Sequence, residues 1–209
     1  MGIHFMRKKG FIRNNTIKGK IIIGIIGTHI GAGATHFSIL LSNYMSECLG
    51  NKTAYVECFP QNEMQYIEKV YDLDSNATSD NKYFSLYKVD YYKCVKERQI
   101  AEIQGYDYDC LVLDLGLDIK NKKNEFIRCD KKIVVSNVAS WKHNELINFL
   151  VKDHDLLGNQ NIDFAITFSS NKLVKDISKQ YKIPMFCVPY EPDPSSISID
   201  TIKMFQRII

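Results

Sequence analysis

A short glycine-rich loop follows an apolar stretch in the segment IIIGIIGTHIGAGATH. We interpret Gly27, Gly31 and Gly33 as the glycines of the phosphate-loop pattern G-x-x-x-x-G-K-[ST], in which backbone N–H groups and a helix N-terminus hold an anion. Ala34 stands in place of the lysine of that pattern, and Thr35 in place of its magnesium-binding hydroxyl. The loop therefore retains the backbone groups that bind an anion, and it lacks the lysine charge on which hydrolysis of a phosphate depends.

Two histidines and one aspartate complete the candidate site. His29 at the loop tip and His36 at the helix start could contact a phosphate and gain charge near neutral pH, or serve as ordinary polar residues. Asp114 ends the apolar stretch YDCLVLD, where a buried acid is costly unless it has a role as a metal ligand or a hydrogen-bond acceptor. The predicted cofactor-binding residues are Gly27, His29, Gly31, Ala32, Gly33, Ala34, Thr35, His36 and Asp114, and the predicted metal ligands are Thr35 and Asp114.

The elements that must position this site alternate between strands and helices. Residues 20–27 form an apolar strand without alternation, as in a parallel strand covered on both faces, and residues 35–49 have helical spacing. Further strands are predicted over 53–58, 83–92, 108–116, 132–136, 162–168 and 183–188, and helices over 62–71, 95–104, 142–152, 172–181 and 199–209. The pattern predicts an α/β fold, a doubly wound and mainly parallel sheet of about seven strands with helices on both faces. The glycine loop should lie at the carboxyl edge of a central strand, or be a tight turn kept for packing alone.

The composition is that of a globular protein, with 209 residues, 45 % apolar and 24 % charged. We predict a single domain over residues 20–209. No apolar run approaches ~20 residues and no signal peptide is evident, so a cytoplasmic location is expected. The six cysteines are scattered without a C-x-x-C pair, which indicates neither a zinc site nor a disulfide framework.

Residues 1–19 form a basic N-terminal arm in this interpretation. The first 20 residues hold six of the 27 basic residues and no acid, which leaves 21 basic and 24 acidic residues in the remainder. Such an arm could contact nucleic acid or an anionic membrane, or be a solvated tail without a partner.

With these motifs in place, the chain resembles the MinD/ParA family of ATPases over roughly residues 20–200. The family loop K-G-G-x-G-K-T falls on HIGAGAT, with His29 and Ala34 in place of its two lysines. The family segment D-x-D-P-Q falls on ECFPQ, with Phe59 in place of the acid that orients water, and Asp114 matches the aspartate that ends the Walker B strand. Residues 183–192, IPMFCVPYEP, resemble the family segment "ipvlgvIPyDp".

The resemblance implies a catalytically degenerate P-loop protein that acts as a scaffold or localisation factor. ATP and Mg²⁺ would bind weakly, and partners would be proteins of a bacterial localisation, pilus-assembly or partition system. His29 in place of the cross-subunit lysine implies that dimerisation is either independent of nucleotide or lost, and of the two we favour the homodimer. The alternatives are an active ATPase that uses His29 or a group from a partner, and a DNA-associated partition protein that uses the basic arm. The terminal helix resembles the membrane-targeting helix of MinD-like proteins, but its spacing favours packing on the core.

Overall fold

A nine-stranded sheet forms the centre of the part of the chain that the computed structural model describes, which comprises residues 19–59, 63–71, 76–78, 81–153 and 161–209. Its strands are β1 (Ile21–Gly27), β2 (Thr53–Glu57), β3 (Asn76–Thr78), β4 (Asn81–Leu86), β5 (Val89–Tyr92), β6 (Cys110–Asp114), β7 (Lys131–Asn137), β8 (Ile162–Thr167) and β9 (Met185–Cys187). The helices are α1 (Ala34–Asn43), α2 (Glu63–Val70), α3 (Glu97–Gly105), α4 (Ile119–Arg128), α5 (His143–Asn148), α6 (Asn171–Tyr181) and α7 (Ile199–Ile208), and π-helical turns continue α1 over Tyr44–Cys48 and α5 over Phe149–Asp153.

The spatial order of the strands is β3-β4-β5-β2-β6-β1-β7-β8-β9. All neighbours from β5 to β9 pair in parallel, whereas β3 and β4 extend one edge in antiparallel fashion. The predicted mainly parallel α/β sheet is confirmed, and the described residues add two antiparallel strands to seven parallel ones. The single edge strand predicted over 83–92 was wrong, because Tyr87 and Lys88 adopt φ of 50° and 62° and turn the chain into a β4–β5 hairpin.

Helices cover both faces of the sheet, and alternate residues of the strands face them. Ile23 and Ile25 of β1 belong to the apolar cluster that includes side chains of α1 and α7, whereas Ile26 belongs to the cluster on the other face, which includes side chains of α3, α4, α5 and α6. Because β1 is buried on both faces, it carries isoleucine at five of its seven positions.

The terminal helix α7 packs on the core, as its spacing predicts. The ring of Phe205 is fully buried, with its centroid 5.6 Å from that of Phe37 and 4.8 Å from that of Tyr44. Ile199, which the same pattern places on the packed face, is instead exposed at the first turn. Helix α4 was not predicted, since Ile119 and Phe126 are its only buried residues.

Some predicted features lie outside the described residues. They are the basic arm apart from Gly19 and the Pro60-Gln61 match to the MinD/ParA family. Among the helices that are described, none combines the length and the apolar content needed to cross a membrane.

Candidate functional site

The glycine loop joins β1 to α1 at the carboxyl edge of the sheet, with β6 and β7 on either side of β1. This central position was predicted and is confirmed. Gly31 and Gly33 have φ of 83° and 89°, in the left-handed region that favours glycine. The backbone N–H of Ala32 donates to the carbonyl of His29 at 3.1 Å, and that of Phe37 donates to the carbonyl of Gly33 at 2.9 Å. The second of these bonds is the first of α1. The N–H groups at the start of α1 have no acceptor within the helix and can point at an anion.

Neighbouring strands hold the loop in this shape. Thr167, at the end of β8, is buried, and its hydroxyl donates to the carbonyl of Ala32 at 2.6 Å. A Cβ on Gly33 would lie 3.2 Å from Cγ2 of Thr167, so the loop and β8 are in close contact. Gly27 N–H donates to the carbonyl of Gly116 at 2.8 Å. The loop conformation is therefore imposed by strands that are remote in sequence.

The loop forms the wall of a depression of about 200 Å³. Seven of the nine predicted residues line it, namely His29, Gly31, Ala32, Gly33, Ala34, Thr35 and His36. The structure adds Ile30, Phe59, Glu63, Gly116 and Leu117, which the site prediction did not include. No lysine or arginine of the described residues lines this depression.

Gly27 and Ala34 lie next to each other at the base of the loop. Counted back from Thr35, the first glycine of the phosphate-loop pattern falls on Thr28, so Gly27 precedes it by one residue. A Cβ on Gly27 would lie 2.8 Å from Cδ2 of Leu117 and 3.2 Å from Cβ of Ala34. Close packing at the end of β1 therefore accounts for Gly27.

Phe59 brings an aromatic ring to the position where the resembled family has an acid. A Cβ on Gly116 would lie 3.0 Å from Cγ of Phe59, so the ring packs against the backbone that follows β6. A hydrocarbon ring can neither orient a water molecule nor accept its proton. This wall of the depression is therefore apolar.

Asp114 is fully buried behind Thr35 and has several hydrogen-bond donors around it. Its Oδ2 accepts from the hydroxyl of Tyr55 at 2.9 Å, its Oδ1 accepts from the N–H of Gly116 at 3.1 Å, and the Thr35 hydroxyl is a third donor. Burial raises the pKa of Asp114 from 3.8 to about 6, and the three donors oppose that rise. The predicted proximity of Asp114 to Thr35 is thus present, and Tyr55 is an additional partner.

These residues suit a magnesium ion that also binds phosphate. Mg²⁺ takes oxygen ligands, keeps several waters and needs only one or two protein groups beside substrate phosphates. Thr35 offers a hydroxyl at the depression, and Asp114, whose oxygens already accept hydrogen bonds, lies behind that hydroxyl. The assignment of both residues as metal ligands stays a prediction.

Both histidines resist protonation in this environment. Burial, followed by the charge of Lys142, lowers the pKa of His29 below 6.5, and Glu145 opposes this shift. Burial also lowers the pKa of His36, against a hydrogen bond to the Glu191 carbonyl. The interpretation that either gains charge near neutral pH is therefore not supported in the unliganded protein.

One nitrogen of His29 is left without a partner. Nδ1 lies 2.9 Å from the Thr28 hydroxyl, which is itself hydrogen-bonded to the Ser136 hydroxyl at 2.8 Å. The buried Nε2 has no hydrogen-bond partner among the described residues. Among the hydrogen bonds of the described residues, the His29 ring is therefore held through Nδ1 alone.

Glu57 is a buried acid at the tip of β2, next to β6, with a structural role that sequence reasoning missed. One carboxylate oxygen accepts from the N–H of Glu63 at 2.9 Å, at the start of α2. The other accepts from the N–H of Cys94 at 3.0 Å. Glu57 therefore fixes two segments beside the site rather than facing a ligand.

A second depression, of about 210 Å³, adjoins the first through Gly33 and His36. Its walls include Phe168, which follows β8, and Tyr190, which follows β9. Both rings are largely exposed, with centroids 6.3 Å apart and planes inclined by 54°. The depression over the loop therefore continues into an aromatic one, a continuation that was not predicted.

Solved structures with this fold include several P-loop ATPases. A putative plasmid partition protein from Borrelia burgdorferi B31 bound to AMPPNP superimposes with a TM-score of 0.64 and 19 % identity, covering 91 % of this chain and 97 % of that one. The MinC:MinD cell division complex of Aquifex aeolicus gives 0.61 and 15 %, covering 90 % and 96 %. The septum site-determining protein MinD of Pyrococcus horikoshii OT3 with Mg-ADP gives 0.60 and 14 %, covering 83 % and 82 %.

These similarities define the class of fold. The chain has the three-layer α/β fold of the ParA and MinD ATPases, as its sequence motifs imply. No family model matches the sequence. A search of curated proteins also gives no match.

Proposed function

We propose that this chain binds the phosphates of ATP, with Mg²⁺, at the glycine loop without hydrolysing it, and acts as a scaffold or localisation factor. One observation carries this proposal. The backbone cradle formed by Gly31, Gly33 and the start of α1 is intact, yet no lysine or arginine of the described chain lines the depression over it. Backbone N–H groups and the helix dipole favour an anion, worth about 0.3–1 kcal/mol per exposed interaction. Binding would accordingly be weak.

The two adjoining depressions suit the two ends of a nucleotide. The loop would hold phosphates, and the rings of Phe168 and Tyr190 would contact a planar base in the second depression. Two proteins of the same fold bind AMPPNP and Mg-ADP, which supports a nucleotide as the anion.

The absence of hydrolysis follows from missing charge. Catalysis of phosphoryl transfer is almost entirely positioning and electrostatic stabilisation, and removal of one stabilising donor typically costs ~2.7–4 kcal/mol, or 10²–10³ in rate. Ala34 and Phe59 supply neither a cation nor an acid. The alternative of an active ATPase depends on His29 or on a group from a partner, and burial lowers the pKa of His29, which opposes its protonation.

A scaffold acts through surfaces, and the carboxyl edge of the sheet carries an apolar one. An exposed apolar side chain follows each of the five adjacent strands β6, β1, β7, β8 and β9, namely Leu117, Ile30, Trp141, Phe168 and Tyr190. Ile30 and Trp141 are 78 % and 82 % exposed. An apolar surface of this kind can pack against the same surface of a second subunit. Two surfaces of like charge would instead need an anion between the subunits. We therefore assign this edge to a homodimer that does not require nucleotide.

The partner class also comes from the fold. Proteins of this fold include a plasmid partition protein and MinD in complex with MinC, which supports a partner in a partition or localisation system. We expect that system in the cytoplasm. DNA binding through the basic arm is the remaining alternative, and steep loss of DNA retention with salt would indicate it.

Isothermal titration with ATP and Mg²⁺ tests the proposed binding. Gly33→Ala should remove the heat of binding, since it strains a φ of 89° and brings a Cβ to 3.2 Å from Thr167. Gly50→Ala is the matched control, because its φ of 76° imposes similar strain while a Cβ there meets nothing within 4 Å. Weak saturable binding in the wild type and in Gly50→Ala, lost in Gly33→Ala, supports the proposal. No binding in the wild type, or unchanged binding in Gly33→Ala, contradicts it.

A further inference from the structure

A large groove lies at the edge of the sheet opposite β3. Its volume is about 710 Å³, and it is bounded by β9, by α6 and by α7. Apolar side chains, among them Val174, Phe186, Val188 and Met204, form much of its wall. The groove is distinct from the glycine loop, although Val188, Pro189 and Tyr190 border both the groove and the aromatic depression.

The strand at this groove, β9, has one side that no other described strand covers. Among the described strands β9 pairs only with β8, and the N–H of Val188 donates to the carbonyl of Ile166 at 2.8 Å. Because successive residues of a strand direct their backbone groups to opposite sides, Met185 and Cys187 direct theirs away from β8. Both residues line the groove. Their N–H and C=O groups can therefore pair with another extended segment.

The rim of the groove is mainly cationic. Lys175 on α6 and Lys203 and Arg207 on α7 are exposed and line it, and Asp200 is the one acid among its lining residues. Lys203 Nζ lies 3.9 Å from a carboxylate oxygen of Asp200, and both side chains are well exposed, so this contact is weak. The residues of α7 that line the groove are spaced by three and four positions, which places them on one face.

An open strand edge, an apolar wall and a cationic rim together specify one kind of occupant. We propose that this groove binds an extended acidic segment of a partner protein as an additional strand on β9. The segment would pair its backbone with Met185 and Cys187, place alternate apolar side chains on the wall and direct acids toward the rim. A nucleic acid would match the charge but could not pair with the strand.

A labelled, end-capped nonapeptide that alternates valine and glutamate is the probe, with the valine and lysine version as its control. Fluorescence anisotropy on the full chain should show saturable binding of the acidic peptide only, weakening as salt is raised. The double variant Lys203→Glu and Arg207→Glu should weaken binding at least about tenfold. Lys152→Glu with Lys179→Glu, two exposed positions that do not line the groove, should leave it unchanged.

Hydrogen exchange provides a second measurement, one that electrostatic attraction of the peptide would not change by itself. Exchange of the Met185 and Cys187 amides should slow when the acidic peptide binds, because both become bonded. Equal binding of the lysine peptide, full affinity in the groove variant, or tight binding of a single-stranded oligonucleotide without protection of these amides would overturn the proposal. Each of these outcomes leaves the nucleotide proposal untouched, since that rests on the glycine loop.

Discussion

Replacement of Asp114 by asparagine should change how the stability of the protein depends on pH. The carboxyl group is fully buried, and its pKa in the folded protein is about 6 against 3.8 for the free group. The folded state therefore holds the proton more tightly than the unfolded state does. The stabilisation from this proton is fully present below the unfolded pKa and is lost as pH rises through about 6.

The size of the effect follows from the shift. Because of a pKa difference of about 2 units, the wild type loses about 3 kcal/mol of unfolding free energy in total from low to high pH. About 2 kcal/mol of this loss falls between about pH 4.5 and pH 7.5. Asparagine does not titrate and avoids this loss. The unfolding free energy of Asp114→Asn should therefore rise by about 2 kcal/mol relative to that of the wild type as the pH is raised over that interval. The constant cost of the changed hydrogen bond to Tyr55 cancels in this difference.

Urea unfolding of both proteins across that pH interval measures the effect. Asp118→Asn is a useful control, because hydrogen bonds from Asn121 lower the pKa of Asp118 below 3.8, so its titration lies below that pH interval and its difference from the wild type should stay nearly constant there. A gap between Asp114→Asn and the wild type that stays constant with pH would refute the reasoning.

Three further predictions concern the loop and the surface beside it. Ala34→Lys should strengthen ATP binding about tenfold in titration calorimetry, because the lysine supplies a charge to the phosphates. The control Ala101→Lys, on the exposed side of α3, should leave the affinity for ATP unchanged. Equal affinities of the two variants would mean that the loop does not hold phosphate. His29 should titrate below pH 6.5 in an NMR experiment on the free protein, because its ring is desolvated; a higher midpoint would restore the cationic role. Light scattering over a range of protein concentrations should give the same dimer with and without ATP, since the apolar edge needs no anion, and a dimer that forms only with ATP would show that a nucleotide switch survives.

The sequence allowed much of the fold to be predicted because its apolar periodicity is strong. The unalternating β1 and the spacing of the helix after the loop located the loop at the carboxyl edge. Helix α4 was missed because only two of its ten residues are buried, which leaves almost no apolar pattern. The β4–β5 turn was missed because Tyr87 and Lys88 adopt left-handed φ without the usual Asn-Gly signal.

The site was predicted less completely, because its partners are far apart along the chain. Thr167 bonds the loop from 135 residues away, and Tyr55 reaches Asp114 across 59 residues. No local motif marks such contacts. For His29 the sequence left a charged and an ordinary polar role open, and it could not choose between them because the loss of hydration that lowers its pKa depends on the folded surroundings.

Release of phosphate from ATP tests the central claim most directly. The wild-type chain, with Mg²⁺ and enough ATP to fill the site, should release phosphate no faster than buffer alone, because Ala34 and Phe59 offer no charge to the reacting phosphate. Robust release by the wild type that Asp114→Asn abolishes would contradict the claim and establish an active ATPase.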